Sequence, residues 1–163
     1  MQSIDSLKDG KGHISTESIL KIIPYGKEFL FLDEVVSLDK EGIRATKKVK
    51  KTESFLKAHF TTFPLMPGTL VAESIGQASA LLVRYGIPNH SKKHVVVYKI
   101  KDAKFYAPVL PGQEMVLEAA KVATHNSKVF VEGVAKVGDK TIAEVTLILA
   151  IVDGEEFRQK HSR

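Results

Sequence analysis

The chain contains no cysteine. Disulfides and thiolate-held metals are therefore excluded, an absence compatible with any compartment. No run of about 18 consecutive apolar residues occurs, so no transmembrane helix or membrane insertion is expected. The segment Met1 to Gly12 is polar and mixed in charge, and it lacks the apolar core of a secretory signal. These features together favour a cytoplasmic protein. Six histidines are present: His13, His59, His90, His94, His125 and His161. None stands at a metal-ligand spacing from another or from a nearby carboxylate, so no metal site is expected. No RNA-binding aromatic motif or helix-turn-helix pattern is evident, which argues against a nucleic-acid partner. Internal repeats and low-complexity segments are also missing.

What remains is an ordinary globular composition. The chain has 163 residues, of which 44% are hydrophobic and 26% charged. That length suits one domain over residues 1–163 with a substantial core. The formal net charge of +5 favours acidic partners by long-range attraction, a carrier protein or a phosphate-bearing cofactor among them, or serves solubility alone.

Residues 1–13 read as a loose arm. Ser15 is a plausible cap for a short helix, Thr16 to Ile23, ended by Pro24 and Gly26. Phe29 to Leu38 is apolar and β-branched enough for a strand, and Asp39-Lys40-Glu41-Gly42 reads as a turn. Ile43 to Lys51 roughly alternates, with Ile43, Ala45 and Val49 on one face and Lys47 as the exception. A loop over 52–68 carries His59. Thr69 to Tyr85 is the longest helical segment, stopped by Gly86 and Pro88, and it is apolar nearly all round, which marks a buried helix. Four strands follow at His94–Tyr106, Glu114–Thr124, Lys128–Val137 and Thr141–Val152. His125-Asn126-Ser127 and Gly138-Asp139 supply turns. Residues 153–163 read as a polar, frayed tail. One buried helix among antiparallel strands implies an α+β domain in which a sheet packs on that helix.

Three features carry chemistry. Glu73 interrupts an apolar helix, with Gln77 four residues on along the same face. A carboxyl among apolar neighbours is costly to charge, and one that keeps its proton can act as a general acid. An acidic residue in the first turns of a helix is equally explained by the helix dipole. His59 lies in a loop rich in Thr and aromatics. An unperturbed imidazole titrates near ~6.5, which suits a base at neutral pH, although an isolated histidine is as readily a surface residue. Met66-Pro67-Gly68 precedes the helix, where free N–H groups can hold developing negative charge or simply begin a helix.

The stretch from His59 to Gln77 resembles the signature of the FabZ-type 3-hydroxyacyl-acyl-carrier-protein dehydratases. His59-Phe60, Pro64, Met66-Pro67-Gly68, Glu73 and Gln77 fall on that family's pattern. Ile23-Pro24, Phe29-Leu30-Phe31-Leu32-Asp33, Asp102-Ala103-Lys104-Phe105, Pro108, Pro111 and Gly112 are also similar to it. The likeness runs from about residue 16 to 152. Three departures stand out. Ala58 replaces a usual Gly, Thr61-Thr62-Phe63-Pro64 replaces a usual Pro-Gly-X-Pro, and Tyr25 stands where a histidine is usual.

The resemblance implies a hot-dog fold, a curved antiparallel sheet around the central helix. It implies dehydration of 3-hydroxyacyl thioesters to trans-2-enoyl thioesters, with no metal or redox cofactor. His59 would take the α-proton, Glu73 would protonate the departing hydroxyl, Gln77 would orient Glu73, and the Gly68 N–H would polarise the thioester carbonyl. Phe60, Phe63, Pro64 and Met66 would line the substrate pocket. The substrate would arrive on the phosphopantetheine of an acidic acyl carrier protein, with Lys92, Lys93, Lys99, Lys101 and Lys104 as candidate docking residues. A homodimer, alone or as a trimer of dimers, is implied, with the histidine and glutamate of one site coming from different subunits. The altered Thr61–Phe63 loop leaves open a non-catalytic acyl-thioester binding paralogue. A thioesterase on the same fold is the other alternative, although the His59/Glu73 spacing fits dehydration better.

Overall fold

Local signals place each element of the computed structural model, which describes residues 3–162. Strand β1 (Ile14–Ser15) ends at a serine whose hydroxyl accepts from the Ser18 N–H, capping α1 (Thr16–Ile22). Strands β2 (Glu34–Leu38) and β3 (Gly42–Lys48) form a hairpin whose turn is held by Asp39, its carboxylate accepting from the Glu41 and Gly42 N–H groups. Helix α2 (Gly68–Tyr85) is followed by β4 (Lys93–Phe105), β5 (Glu114–His125), β6 (Lys128–Val137), β7 (Lys140–Asp153) and α3 (Gly154–His161). Asn126 and Gly138, with φ of +53° and +56°, take the left-handed conformation in the two tight hairpins that join β5 to β6 and β6 to β7.

The strands make one antiparallel sheet in the order β1-β2-β3-β5-β6-β7-β4. Helix α2 packs against β3, β4, β5, β6 and β7. Val71, Ile75, Ala78, Leu81 and Leu82 are buried there, against Met115, Leu117, Val131 and Leu149 from the strands. Gly133 lies where the helix comes closest. A Cβ at that position would overlap Ile75 Cγ2, and a β-branched side chain at full burial has little freedom to yield.

Several sequence expectations need correction. The strand expected over Phe29–Leu38 begins only at Glu34. Phe29 closes a short 3-10 turn, and its carbonyl and the Phe31 N–H bond the Gln77 side chain instead of a neighbouring strand. The next strand stops at Lys48 rather than Lys51. Lys47, the residue that broke the alternation, points inward and is only 4% exposed. Its ammonium is 2.7 Å from Glu53 and 3.7 Å from Asp33, so the buried charge is paired.

The expected loose arm is packed. Ile4 is buried in a 3-10 turn, and the Tyr85 hydroxyl donates to Asp5. The expected frayed tail is helix α3, capped by the Asp153 carboxylate accepting from the Glu155 and Glu156 N–H groups. Met1 and Gln2 of the arm and Arg163 of the tail lie outside the described residues.

Gly133→Ala is expected to destabilise the protein by about 1–3 kcal/mol through overpacking against Ile75. Urea denaturation measures this. The Gly133→Ala/Ile75→Ala double variant should lose less than the two single losses added together, because the second change opens the space the first one needs.

Candidate active site

The site is organised by Gln77, which is 1% exposed on α2. Its Oε1 accepts from the Phe31 N–H at 2.8 Å, and its Nε2 donates to the Phe29 carbonyl at 2.8 Å. A backbone donor and a backbone acceptor together fix which end of the amide points where. The remaining Nε2 hydrogen is directed at Glu73 Oε1, 3.0 Å away. Glu73 is therefore oriented by a side chain that has no freedom of its own.

Glu73 is half-buried and borders a cavity of about 260 Å³, with Ile23, Pro24 and Tyr25 on one side and Val95, Val96 and Val97 of β4 on another. Along α2 its wall is Glu73, Gly76, Ala80 and Arg84. Small residues at the two middle positions leave the space open. Burial pushes the Tyr25 hydroxyl up from its ordinary pKa, and the neighbouring Glu73 charge adds to this. Tyr25 thus occupies the cavity wall at the position of its departure from the FabZ-type pattern.

His59 stands on a separate loop. Its own N–H donates to the Phe55 carbonyl at 3.0 Å, which ties it to the 3-10 turn Ser54–Lys57. Its ring Nδ1 lies 3.2 Å from the Leu65 carbonyl oxygen. A carbonyl only accepts, so in the neutral ring Nδ1 carries the hydrogen and Nε2 keeps its lone pair. Phe60 follows at φ +49°, its ring edge-on to His59 at 4.6 Å. A string of ring contacts, Tyr25–Phe29–Phe31–Phe55, links the cavity wall to the turn that holds His59.

Within one chain the expected site residues separate into two groups. Glu73 and Gln77 are joined, whereas His59, Phe60, Phe63, Pro64 and Met66 are not among the residues lining the Glu73 cavity. Phe60, Phe63 and Pro64 are exposed, while Met66 is buried and its N–H bonds the Val109 carbonyl at 2.9 Å. Gly68 opens α2 behind Pro67, which offers no side-chain cap, and a Cβ on Gly68 would press the Phe105 ring at 3.2 Å. The loop and the start of α2 therefore sit at the Phe105 end of β4, whereas the Glu73 cavity touches β4 at Val95–Val97.

β4 is an edge strand of thirteen residues that exposes Val97, Tyr98, Ile100 and Phe105. A long apolar edge is a template for pairing with another chain. Register shifts occur between Val97 and Lys99 and between Ile100 and Asp102. The period-two rule that sets Lys99 and Lys101 on one face therefore does not run through this stretch. Lys92, Lys99, Lys101 and Lys104 are exposed; Lys104 pairs with Asp102 at 3.3 Å, and half-buried Lys93 pairs with Asp153 at 3.1 Å. Sequence reasoning missed Tyr25, His94 and Arg84 as cavity residues. For Arg84 a signal existed: it lies eleven residues after Glu73, close to three full turns, and so on the same helix face.

Comparison with known proteins gives a consistent picture. A FabA-like domain family model matches residues 23–146. A protein of Koribacter versatilis named 3-hydroxyacyl-[acyl-carrier-protein] dehydratase FabZ is 36% identical over 147 residues, 90% of this chain and 94% of its own. The protein of that name from Escherichia coli O9:H4 is 32% identical over 140 residues, 84% of this chain and 92% of its own. Among solved structures, the dehydratase heterocomplex ApeI:P of Xenorhabdus doucetiae matches with a TM-score of 0.72 at 11% identity, over 89% of this chain and 97% of that one. A hot-dog-like protein of Thermanaerovibrio acidaminovorans matches with a TM-score of 0.63 at 13% identity, over 73% and 86%. At these identities the structures establish the fold, and it is the hot-dog fold.

Gln77→Leu is expected to leave the buried Phe31 N–H unpaired and to cost about 1–3 kcal/mol. Loss of hydrogen-exchange protection at the Phe31 amide, with the α2 amides still protected, would locate the damage at this contact.

Proposed function

The chain belongs to the FabA-like family, and from that membership and the site geometry we propose that it removes water from 3-hydroxyacyl thioesters on an acyl carrier protein, giving trans-2-enoyl thioesters for fatty acid synthesis. The observation that carries this reading is Glu73, held by buried Gln77, bordering an otherwise mostly apolar cavity, with a histidine base held in a defined tautomer on a separate loop.

In the proposed reaction His59 Nε2 takes a proton from C2. The C3–O bond breaks, the C2=C3 double bond forms, and Glu73 gives its proton to the departing hydroxyl, which leaves as water. Gln77 holds the Glu73 carboxyl in place. The Gly68 N–H, at the start of α2, polarises the thioester carbonyl. Phe60, Phe63 and Pro64 shape the entry beside His59, and buried Met66 anchors the loop from within. No cofactor takes part in these steps.

The separation of His59 from the Glu73 cavity supports a site built by two copies. Antiparallel pairing of two β4 edges about a two-fold axis sets the Val95–Val97 half of one strand opposite the Phe105 half of the other. The loop carrying His59 travels with the Phe105 half, so it comes to the partner's Glu73 cavity. The exposed apolar residues of β4 supply the surface for that pairing. Lys92, Lys93, Lys99, Lys101 and Lys104 are the basic residues proposed to meet an acidic carrier, and the cytoplasm is the proposed compartment.

Hydration of a trans-2-enoyl thioester, the reverse reaction, tests this directly. Wild type should turn over both carrier-bound and pantetheine-bound substrate. His59→Ala and Glu73→Gln should each lose about 10²–10⁴-fold in kcat with the fold intact. Absence of wild-type activity on short and long chains alike would overturn the reading in favour of a non-catalytic binding protein.

A further inference from the structure

The cavity that Glu73 borders is also lined by Arg84, about three helical turns further along α2. This arginine is 3% exposed, one of the most buried charged groups in the chain. It lies on the cavity wall with Gly76 and Ala80 between it and Glu73. One of its five N–H donors is used by the His90 carbonyl, at 2.8 Å. Among the described residues no ion pair includes it. A guanidinium enclosed in this way, without a carboxylate, is expensive unless something else meets it. Burial pushes its pKa down from the usual arginine value, and only the Tyr25 hydroxyl opposes that.

Basic side chains lie near Arg84, Lys93 among them already paired with Asp153. His94 shares the cavity with it. Ile23, Pro24, Arg84 and His94 also border a second hollow, whose further lining includes Lys21 and Lys93. The cavity lining thus combines a carboxyl at Glu73, apolar side chains that include Ile23, Val95, Val97 and Leu149, and basic side chains at Arg84 and His94. An unfunctionalised hydrocarbon tail would leave the arginine without a counter-charge.

We propose that Arg84 makes this site selective for acyl chains that carry a carboxylate at the end remote from the thioester. This rests on the dehydratase reading for the placement of the reacting carbons at Glu73. A planar carboxylate matches the guanidinium fork, which can donate two parallel N–H bonds to it. Glu73 and Arg84 are separated by a helical rise of roughly 16 Å, so the chains that bridge them are of about eight to twelve carbons.

The test compares pairs of trans-2-enoyl pantetheine thioesters of eight, ten and twelve carbons, one of each pair ending in methyl and one in carboxylate. Binding is measured by titration calorimetry and hydration by kcat/KM. At one or more of these lengths wild type should bind and turn over the carboxylate form at least about tenfold better, the scale of one charge-assisted hydrogen bond. Arg84→Met should reverse the order, and Arg84→Lys should keep much of the preference for the acid. A wild-type preference for the methyl form, or equal binding of the two, at every length overturns the proposal even if Arg84→Met fails to fold. Hydration of a four-carbon enoyl thioester by wild type tests the dehydratase reading separately, since that chain is too short to reach Arg84. If that activity is absent, the binding ratio still decides the role of Arg84.

Discussion

Everything in this protein depends on packing α2 against the sheet, which buries most of its side chains. A helix buried on nearly all sides must satisfy or exploit each polar group it carries. Ser74 and Ser79 return their hydroxyls to the carbonyls one turn back, at Leu70 and Ile75. Gln77 bonds the irregular segment at Phe29–Phe31. The two charged residues of the helix, Glu73 and Arg84, both border the cavity. The helix is thus the core of the fold and one wall of the candidate site. The close approach at Gly133 lets it serve as both.

Under the proposed reading, that arrangement also explains why one chain alone does not complete the site. The sheet can fold about α2 only if it ends somewhere, and one of its ends is β4, beside the Glu73 cavity. The other end, β1, is only two residues long and offers little to pair with. β4 is long, apolar and exposed. Under the proposed reading, the open edge and the missing histidine have the same remedy: a second copy covers the strand and brings its His59 loop to the cavity.

Much of this was legible in the sequence, for identifiable reasons. The apolar run from Thr69 to Tyr85 and the alternation in the later strands report burial directly, and the Gly138-Asp139 hairpin is a backbone requirement. Ser15 announced α1. The errors share a cause. Phe29 to Leu38 reads as a strand by composition, but the hydrogen-bond partners of Phe29 and Phe31 sit on a helix almost fifty residues away. Lys47 broke the period because two carboxylates outside its strand, Asp33 and Glu53, neutralise it inside. α3 is polar on most positions, and composition alone gave no reason to expect order there; the Asp153 cap and the contact of Phe157 with His94 supply it. At the site, Glu73 with Gln77 and His59 were visible as residues, and their separation within one chain is what the family resemblance implied, not something the residues themselves reveal. Arg84 was hidden by its setting among Leu81, Leu82 and Val83, although its helical spacing from Glu73 marks it.

The most direct test of the two-copy site is complementation. Purified His59→Ala and Glu73→Gln proteins, each inactive alone, are mixed in equal amounts, allowed to exchange subunits, and assayed for enoyl-thioester hydration. If the histidine and the glutamate of one site come from different copies, half the dimers are mixed and each mixed dimer holds one intact site of two, so activity should recover to about a quarter of wild type. If both residues act within one chain, no mixed dimer contains an intact site. Activity that stays at the level of the separate variants, with exchange verified by differently tagged subunits, would contradict the account.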